Sequence, residues 1–395
     1  MTSVRIKWLV ACAALGLGEY VASLAPEFAG LWPTTALLLV LVVLFGYGFR
    51  LSCWPAAACF LLGIALFLQA SVQSEENYRL RPWMRGRRTH VVSRQSDLSL
   101  RVKRDLARRL SLGLEHDREA AALNRAILLG DRAALPQKTK RMFVDSGALH
   151  VFAVSGLHVM SVVQAFCLFA AFLFVPRRFV GLAVLPLVWG YVWAIGWPPS
   201  AVRAVLMASF FLIAPLFWRR ADGIMAWALT YLIVHVARPL MVSNVGNALS
   251  FAVMLAILLA DDYARRVEAK FLRALWITGV AWMASVPIAA HVFGRVTPGG
   301  IVSNLVLVTT AECTVLTGVA GVLASFVCDT LAVHVNNLSA LFTRAMVFAA
   351  DSVSRLPGGS FEVPPWGLWE CAGWYAAVVL LLYLVHSVSG RRRFL

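Results

Sequence analysis

Residues 145–175 read DSGALHVFAVSGLHVMSVVQAFCLFAAFLFV. From Leu149 onward the stretch is almost wholly apolar and exceeds the roughly 20 residues that an α-helix needs to cross a bilayer. It is one of many. Comparable runs lie near residues 8–25, 31–48, 51–70, 179–196, 200–217, 223–240, 245–260, 274–293, 301–327 and 368–388. Residues 338–355, with Asn337 just before them, carry Arg344, Asp351 and Arg355, and read as a short span, a re-entrant piece or an interfacial helix. The expected fold is therefore all-α: a polytopic integral membrane protein with about eleven or twelve transmembrane helices. Composition agrees. Of 395 residues, 60% are hydrophobic and 14% charged, whereas soluble domains carry about 25% charged residues. The seven cysteines lie in or beside apolar runs without a C-x-x-C spacing, which suits small buried hydrophobes better than a disulfide framework or a zinc site.

The charge that remains is unbalanced, 36 Lys+Arg against 20 Asp+Glu for a net +16, and 17 of those basic residues fall within 71–141. This divides the chain into an N-terminal transmembrane region (1–70), a basic extramembrane segment (71–141) and a transmembrane domain (142–390). Within the basic segment, Thr89–Gln95 and Leu98–Lys103 alternate weakly and are expected to pair as a hairpin. From Arg104 the period becomes helical, with Leu106, Leu110 and Leu114 on one face, and Asp117 is placed to cap a second helix ending at Leu129. An N-inside orientation puts 11 basic residues in the cytoplasmic loops, among them Arg177, Arg178, Arg219 and Arg220, and leaves Arg238 and Arg295 in the opposite short loops. The same walk puts the basic segment outside, where it would meet an incoming polyanion.

Polar groups inside membrane segments are costly and default to functional hypotheses. Ser146, His150, Ser155 and His158 fall within 13 residues, together with Gly147 and Gly156. Gly156 beside Ser155 is expected to break the helix and expose backbone groups to a cavity. His150 and His158, eight apart, lie about 80° from one another on an ideal helix. The competing reading is a small-residue helix contact in which neighbouring carbonyls satisfy each histidine. LLGD (128–131), Gly147-x-x-His150 and AVSGLHV (153–159) resemble the signature of the ComEC competence family. The order continues with Ser200-x-x-Arg203-Ala204-x-x-Met207, Asp222, GNALSF (246–251), Pro287 and the run Phe293–Asn304. The resemblance covers roughly residues 120–388. It implies an inner-membrane channel that passes single-stranded DNA into the cytoplasm during natural transformation. It also implies a separate DNA receptor, a nuclease and a cytoplasmic helicase-like ATPase as partners.

The chain departs from the family's pattern at Asn247-Ala248, where Phe-Gln is usual, and at Thr309, where Pro is frequent. Residues 71–118 leave room for two short strands, too few for an oligonucleotide-binding barrel. The H-x-H-x-D-H of a metallo-β-lactamase-like domain is absent, as is a nucleotide-binding G-x-x-x-x-G-K-[ST]. No catalytic residue, metal or cofactor is expected. Single strands are bound by spaced cations and aromatics, so Arg79, Arg81, Arg85, Arg87, Arg88 and Trp83 form a candidate entrance collar. Ser155, Gly156, His158, His150, Ser200, Arg203, Asn247, Ser250 and Asn304 form the candidate path. Arg203 either contacts phosphate or pairs with Asp222. Glu312 is a further lone carboxylate in an apolar run. Three other readings are an intramembrane serine hydrolase on Ser155 with His150, His158 or His291 as base, a metal site from Asp145, His150 and His158, and a transporter of another anionic or lipid-like solute.

Overall fold

A computed structural model describes residues 3–23, 96–146, 149–152, 155–265, 267–354, 359, 361–367 and 369–378. The described chain is helical apart from one pair of two-residue strands, β1 (Arg295–Val296) and β2 (Phe361–Glu362), which are antiparallel with Arg295 opposite Glu362. Three helical stretches are long and apolar enough to cross a membrane, Pro199–Phe217, Lys270–Phe293 and Gly299–Ala324. Shorter apolar helices occupy Val10–Glu19, Gly156–Phe172, Val180–Ala194, Gly223–Ala237 and Val245–Asp261. The protein is an all-α, polytopic membrane protein. The expected spans at 31–48 and 51–70, the collar arginines with Trp83, and Thr89–Gln95 lie outside the described residues.

The chain forms two compact units, residues 1–100 with 169–251 and residues 101–168 with 252–395. The first is built on α1 (Ser3–Ser23), α6 (Val180–Ala194), α7 (Pro199–Ile213), α8 (Gly223–Ala237) and the opening turns of α9 (Val245–Ala264). Small residues let its helices approach closely. A Cβ at Gly181 would fall on the backbone oxygen of Leu212, and one at Gly16 on the Tyr231 hydroxyl. Between α6 and α7 the chain turns through Gly196 and Trp197, both at positive φ. It then enters α7 with Pro199 in the first helical turn, where a missing N–H costs nothing. Trp189 donates to Ser209 Oγ across the pair (3.2 Å). Asp222 caps α8, its Oδ1 accepting the amides of Ile224 (3.0 Å) and Met225 (3.2 Å).

The second unit is organised by a helical hairpin, α11 (Gly299–Ala324) and α12 (Asp329–Ser354). Against it pack α3 (Arg118–Leu129), α4 (Gln137–Asp145) and a 3-10 turn, Leu149–Phe152. Residues 338–354 thus belong to a continuous 26-residue helix. Several of its polar side chains are partnered. Ser339 Oγ contacts Asn124 Oδ1 (3.0 Å), and Asn336 Nδ2 donates to the carbonyls of Arg109 (2.8 Å) and Leu112 (3.1 Å). Pro287 interrupts α10 (Lys270–Phe293) and has no N–H for the carbonyl of Met283. That carbonyl accepts Trp374 Nε1 (3.0 Å), and Ala284 accepts the Tyr375 hydroxyl (3.0 Å), both from the helical stretch 369–378. The freed backbone is satisfied from a neighbouring helix, as apolar surroundings require.

The basic segment corrects one expectation. Leu98–Lys103 is not a strand. It lies within α2 (Asp97–Leu110), and helix wins because Ser96 Oγ accepts the Ser99 amide (3.2 Å) at its start, with Asp97 in the first turn and Arg108 and Arg109 in the last. Asp105 bonds Arg109 one turn on (2.7 Å), and Arg109 also donates to Ser325 Oγ (2.9 Å) beyond the end of α11. Asp117 caps α3, accepting the Ala120 amide (2.9 Å), and the helix ends at Gly130 with φ 66°. The Ala120 amide holds the Asp117 carboxyl below the ordinary carboxylate range. Partial burial opposes this, and Arg344 adds to it through a 2.6 Å ion pair. A depressed folded value stabilises above the unfolded one and fades as pH falls through it. Asp117→Ala is therefore expected to destabilise by about 1 kcal/mol near neutrality. In pH-dependent thermal denaturation the gap to wild type closes below about pH 4.

Candidate functional site

The predicted path residues fall into two groups, one in each unit. In the second unit the apolar run that opened the sequence breaks where Ser155-Gly156 suggested. The 3-10 turn ends at Phe152 and α5 (Gly156–Phe172) begins at Gly156. The Ser155 carbonyl accepts the first helical amide, from Val159 (3.3 Å), so Ser155 is the N-cap. His158, three residues on, accepts the Ser155 amide at Nδ1 (3.0 Å), and Ser155 Oγ lies 2.9 Å from the same nitrogen. A side chain that reaches back from the third helical position to the N-cap amide is the logic of a capping box, with histidine in the role of glutamate. Because the backbone amide can only donate, Nδ1 is an acceptor and the proton sits on Nε2.

This arrangement anchors a broken helix, and the 2.9 Å Ser155 Oγ–His158 Nδ1 contact is also within the reach of a nucleophile–base pair, so labelling separates the two roles. His158→Ala is expected to cost about 1–2 kcal/mol, more than Ser155→Ala, and Ser155 is expected not to label with a fluorophosphonate. Both are read by thermal denaturation and in-gel fluorescence. His291 Nδ1 contacts the carbonyl of Trp366 (2.6 Å). Asn304 lies on α11 with its Oδ1 buried and unpartnered among the described residues. The side chains of His150 and Asp145 lie outside what is described. No group of three metal-ligating side chains occurs among the described residues.

In the first unit Arg203 is 5% exposed on α7, one turn beyond Ser200. Its guanidinium donates to Ser250 Oγ (3.1 Å), Asn247 Oδ1 (3.3 Å) and the Gly246 carbonyl (3.2 Å), all on the first turns of α9. Phe251 lies 5.8 Å from the guanidinium carbon, ring centroid to atom. Structural pairing with Asp222 does not occur: the Asp222 carboxylate caps α8, and Arg203 contacts no carboxylate among the described residues. Three of the predicted residues, Arg203, Asn247 and Ser250, thus meet at one point. The departure at Asn247 has a purpose here, since its amide oxygen is a ligand of the guanidinium.

Two residues of this cluster escaped sequence reasoning. His235 on α8 lies 3.1 Å from Asn247 Nδ2 through Nε2, and 3.0 Å from the Tyr231 carbonyl through Nδ1. Glu19 on α1 is fully buried, with Oε2 3.9 Å from His235 Nε2. Each was legible as a lone ionisable group in an apolar run. Their proximity was not, because α1 and α8 are more than 200 residues apart in sequence.

The competence protein family model matches residues 127–388. ComE operon protein 3 of Bacillus subtilis (strain 168) is 26% identical over 206 residues, covering 52% of this chain and 26% of that protein. An uncharacterized protein of Aquifex aeolicus (strain VF5) is 26% identical over 242 residues, 60% of this chain and 55% of that one. YcaI, an uncharacterized protein of Escherichia coli (strain K12), is 25% identical over 138 residues, 33% and 18% respectively. The chain thus spans from about a fifth to about half the length of these relatives. No solved structure matches.

Proposed function

Because this chain belongs to the competence protein family, we propose that it forms a channel in the bacterial inner membrane that passes single-stranded DNA into the cytoplasm during natural transformation. The observation that carries this reading is Arg203. Placing an arginine at the centre of a membrane helix costs about 2.5–3.5 kcal/mol. Here the cation is held by a hydroxyl, an amide and a backbone carbonyl, with no carboxylate against it among the described residues. Neutral ligands position the guanidinium and leave its charge available to a passing phosphate. A strand held only by such contacts can still move on.

Ser200, Asn247 and Ser250 extend that lining within the first unit; Ser155, Gly156, His158 and Asn304, with His150 nearby in sequence, are the path residues we assign to the second unit, taken by itself. Arg79, Arg81, Arg85, Arg87, Arg88 and Trp83 form the entrance collar on the outer face, the N-terminus being cytoplasmic. The extramembrane segment is residues 71–141, between transmembrane regions 1–70 and 142–390. A surface DNA receptor, a nuclease and a cytoplasmic helicase-like ATPase complete the pathway as separate proteins. The test is genetic. Deleting the gene is expected to abolish the arrival of labelled donor DNA in the cytoplasm of the transformable host. Transformation at the wild-type frequency in the deletion strain contradicts the reading.

A further inference from the structure

The cluster around Arg203 has a definite hydrogen-bond polarity. Arginine only donates, so the Asn247 atom 3.3 Å from Nη1 is the amide oxygen. Asn247 therefore turns its NH₂ towards His235, and Nε2, 3.1 Å away, must be the acceptor. The Tyr231 carbonyl only accepts, so Nδ1 carries the imidazole proton. Every link runs one way, from Arg203 to Asn247 to His235 to the Tyr231 backbone, and it closes only while His235 is neutral.

Beside the end of this chain sits Glu19, 0% exposed, with neither carboxyl oxygen hydrogen-bonded among the described residues. A buried carboxylate without hydrogen bonds is among the most expensive groups a protein can hold, and a proton on it removes the charge. Ionisable groups near this point include Cys12, whose Sγ lies 3.6 Å from the Ala228 carbonyl, Tyr231, whose hydroxyl lies against Gly16, and Arg203; α1 also carries Arg5, Lys7 and Tyr20, and Arg238 precedes the 3-10 turn Pro239–Ser243 that packs on α1 and α8. The opening turns of α9 contribute only Asn247 and Ser250. His235 Nε2, 3.9 Å from Glu19 Oε2, is an acceptor placed to take a Glu19 proton.

We propose that Glu19 and His235 form a proton-binding site, and that transfer of its proton from Glu19 Oε2 to His235 Nε2 releases Arg203 from Asn247. In the transfer the carboxyl closes from 3.9 Å to hydrogen-bond distance. The O–H bond breaks, its electron pair stays on the carboxylate, and an N–H bond forms at Nε2. An Nε2–H can no longer accept from the Asn247 NH₂. The amide turns its oxygen to the imidazolium and its NH₂ to the guanidinium, so two donors then face each other and Arg203 loses that ligand. Linkage makes the effect reciprocal. An anion that draws Arg203 off Asn247 frees the amide to turn and draws the proton onto His235. The bearing of this exchange on DNA passage rests on the function proposed above, whereas the exchange itself does not.

The test needs no nucleic acid. The full chain, labelled with ¹⁵N-histidine, is placed in lipid nanodiscs at neutral pH, and the His235 signal is assigned by its loss in His235→Gln. In wild type, Nε2 is expected to be unprotonated, and the infrared spectrum is expected to show a protonated carboxyl band that disappears in Glu19→Gln. In Arg203→Leu, Nε2 is expected to become protonated and the carboxyl band to vanish, whereas Arg203→Lys, which still donates to Asn247, keeps His235 neutral. In Glu19→Gln/Arg203→Leu, His235 is expected to be neutral again. An imidazolium in wild type, a neutral His235 in folded Arg203→Leu, or an imidazolium in the double variant each overturns the proposal. The wild-type and Arg203→Lys spectra decide it if the leucine variants fail to fold. Loss of the DNA-uptake reading would leave all of these results unchanged.

Discussion

Arg203→Gln is expected to lower transformation frequency by about 10- to 100-fold while leaving the protein folded in the membrane. The magnitude follows from the contact it removes. A hydrogen bond to a charged partner contributes about 1.5–3 kcal/mol, and each 1.4 kcal/mol is about tenfold. Glutamine retains an NH₂ to donate to Asn247 Oδ1 or the Gly246 carbonyl, so the packing of α7 on α9 survives better than with alanine. What it lacks is the cation. Arg203→Lys restores the charge but not the planar fork that serves Ser250, Asn247 and Gly246 together, and is expected to fall between the two. If Arg203 served only to tie two helices, the ranking would follow thermal stability instead of charge. Measuring transformation frequency and melting temperature on the same three variants separates these outcomes.

The second large effect is structural. Gly181→Val is expected to destabilise the first unit by about 3 kcal/mol, because the atom that its Cβ would strike is the backbone oxygen of Leu212. A flexible side chain could swing aside, but a helix backbone moves only by separating α6 from α7, and overpacking of this kind typically costs 1–3 kcal/mol, occasionally more. Since α7 carries Arg203, transformation is expected to fall along with the melting temperature. Gly190 on the same helix is the control. No described atom lies within contact range of a Cβ there, so Gly190→Ala is expected to be neutral or to stabilise by up to about 1 kcal/mol. Thermal denaturation of the purified variants in one detergent distinguishes them.

Much of this architecture was legible in the residues. Apolar run length located α5 through α11, and the Asp117 cap, the helix end at Leu129 and the break at Ser155-Gly156 each appeared where local chemistry placed them. Those features are encoded within one or two turns, so a single sequence exposes them. The misreadings came from local signals that competed. In α2 a weak alternation outweighed the Ser96 cap and the i,i+4 pairing of Asp105 with Arg109. In α12, where the sequence left a span, a re-entrant piece and an interfacial helix open, Arg344 pairs with Asp117, and Ser339 and Asn336 bond Asn124 and the end of α2.

At the candidate site the limit was different. Arg203, Asn247 and Ser250 were visible as polar residues in apolar helices, but Asp222 was an equally plausible partner for the arginine. Only tertiary structure shows that Asp222 is committed to the α8 amides. Glu19 and His235 each resemble an isolated polar residue satisfied by its own helix. Their meaning lies in a contact that no sequence spacing encodes.

Reconstitution decides whether this chain itself conducts single-stranded DNA. Purified protein in liposomes is exposed to a fluorescent single-stranded oligonucleotide, external nuclease is added, and the protected fluorescence is measured. Protected single strand is expected in liposomes containing the wild-type chain, little with duplex of the same length, and a loss of about tenfold or more with Arg203→Gln. Protection no greater than in protein-free liposomes, or equal protection with wild type and folded Arg203→Gln, would contradict conduction by this chain through Arg203.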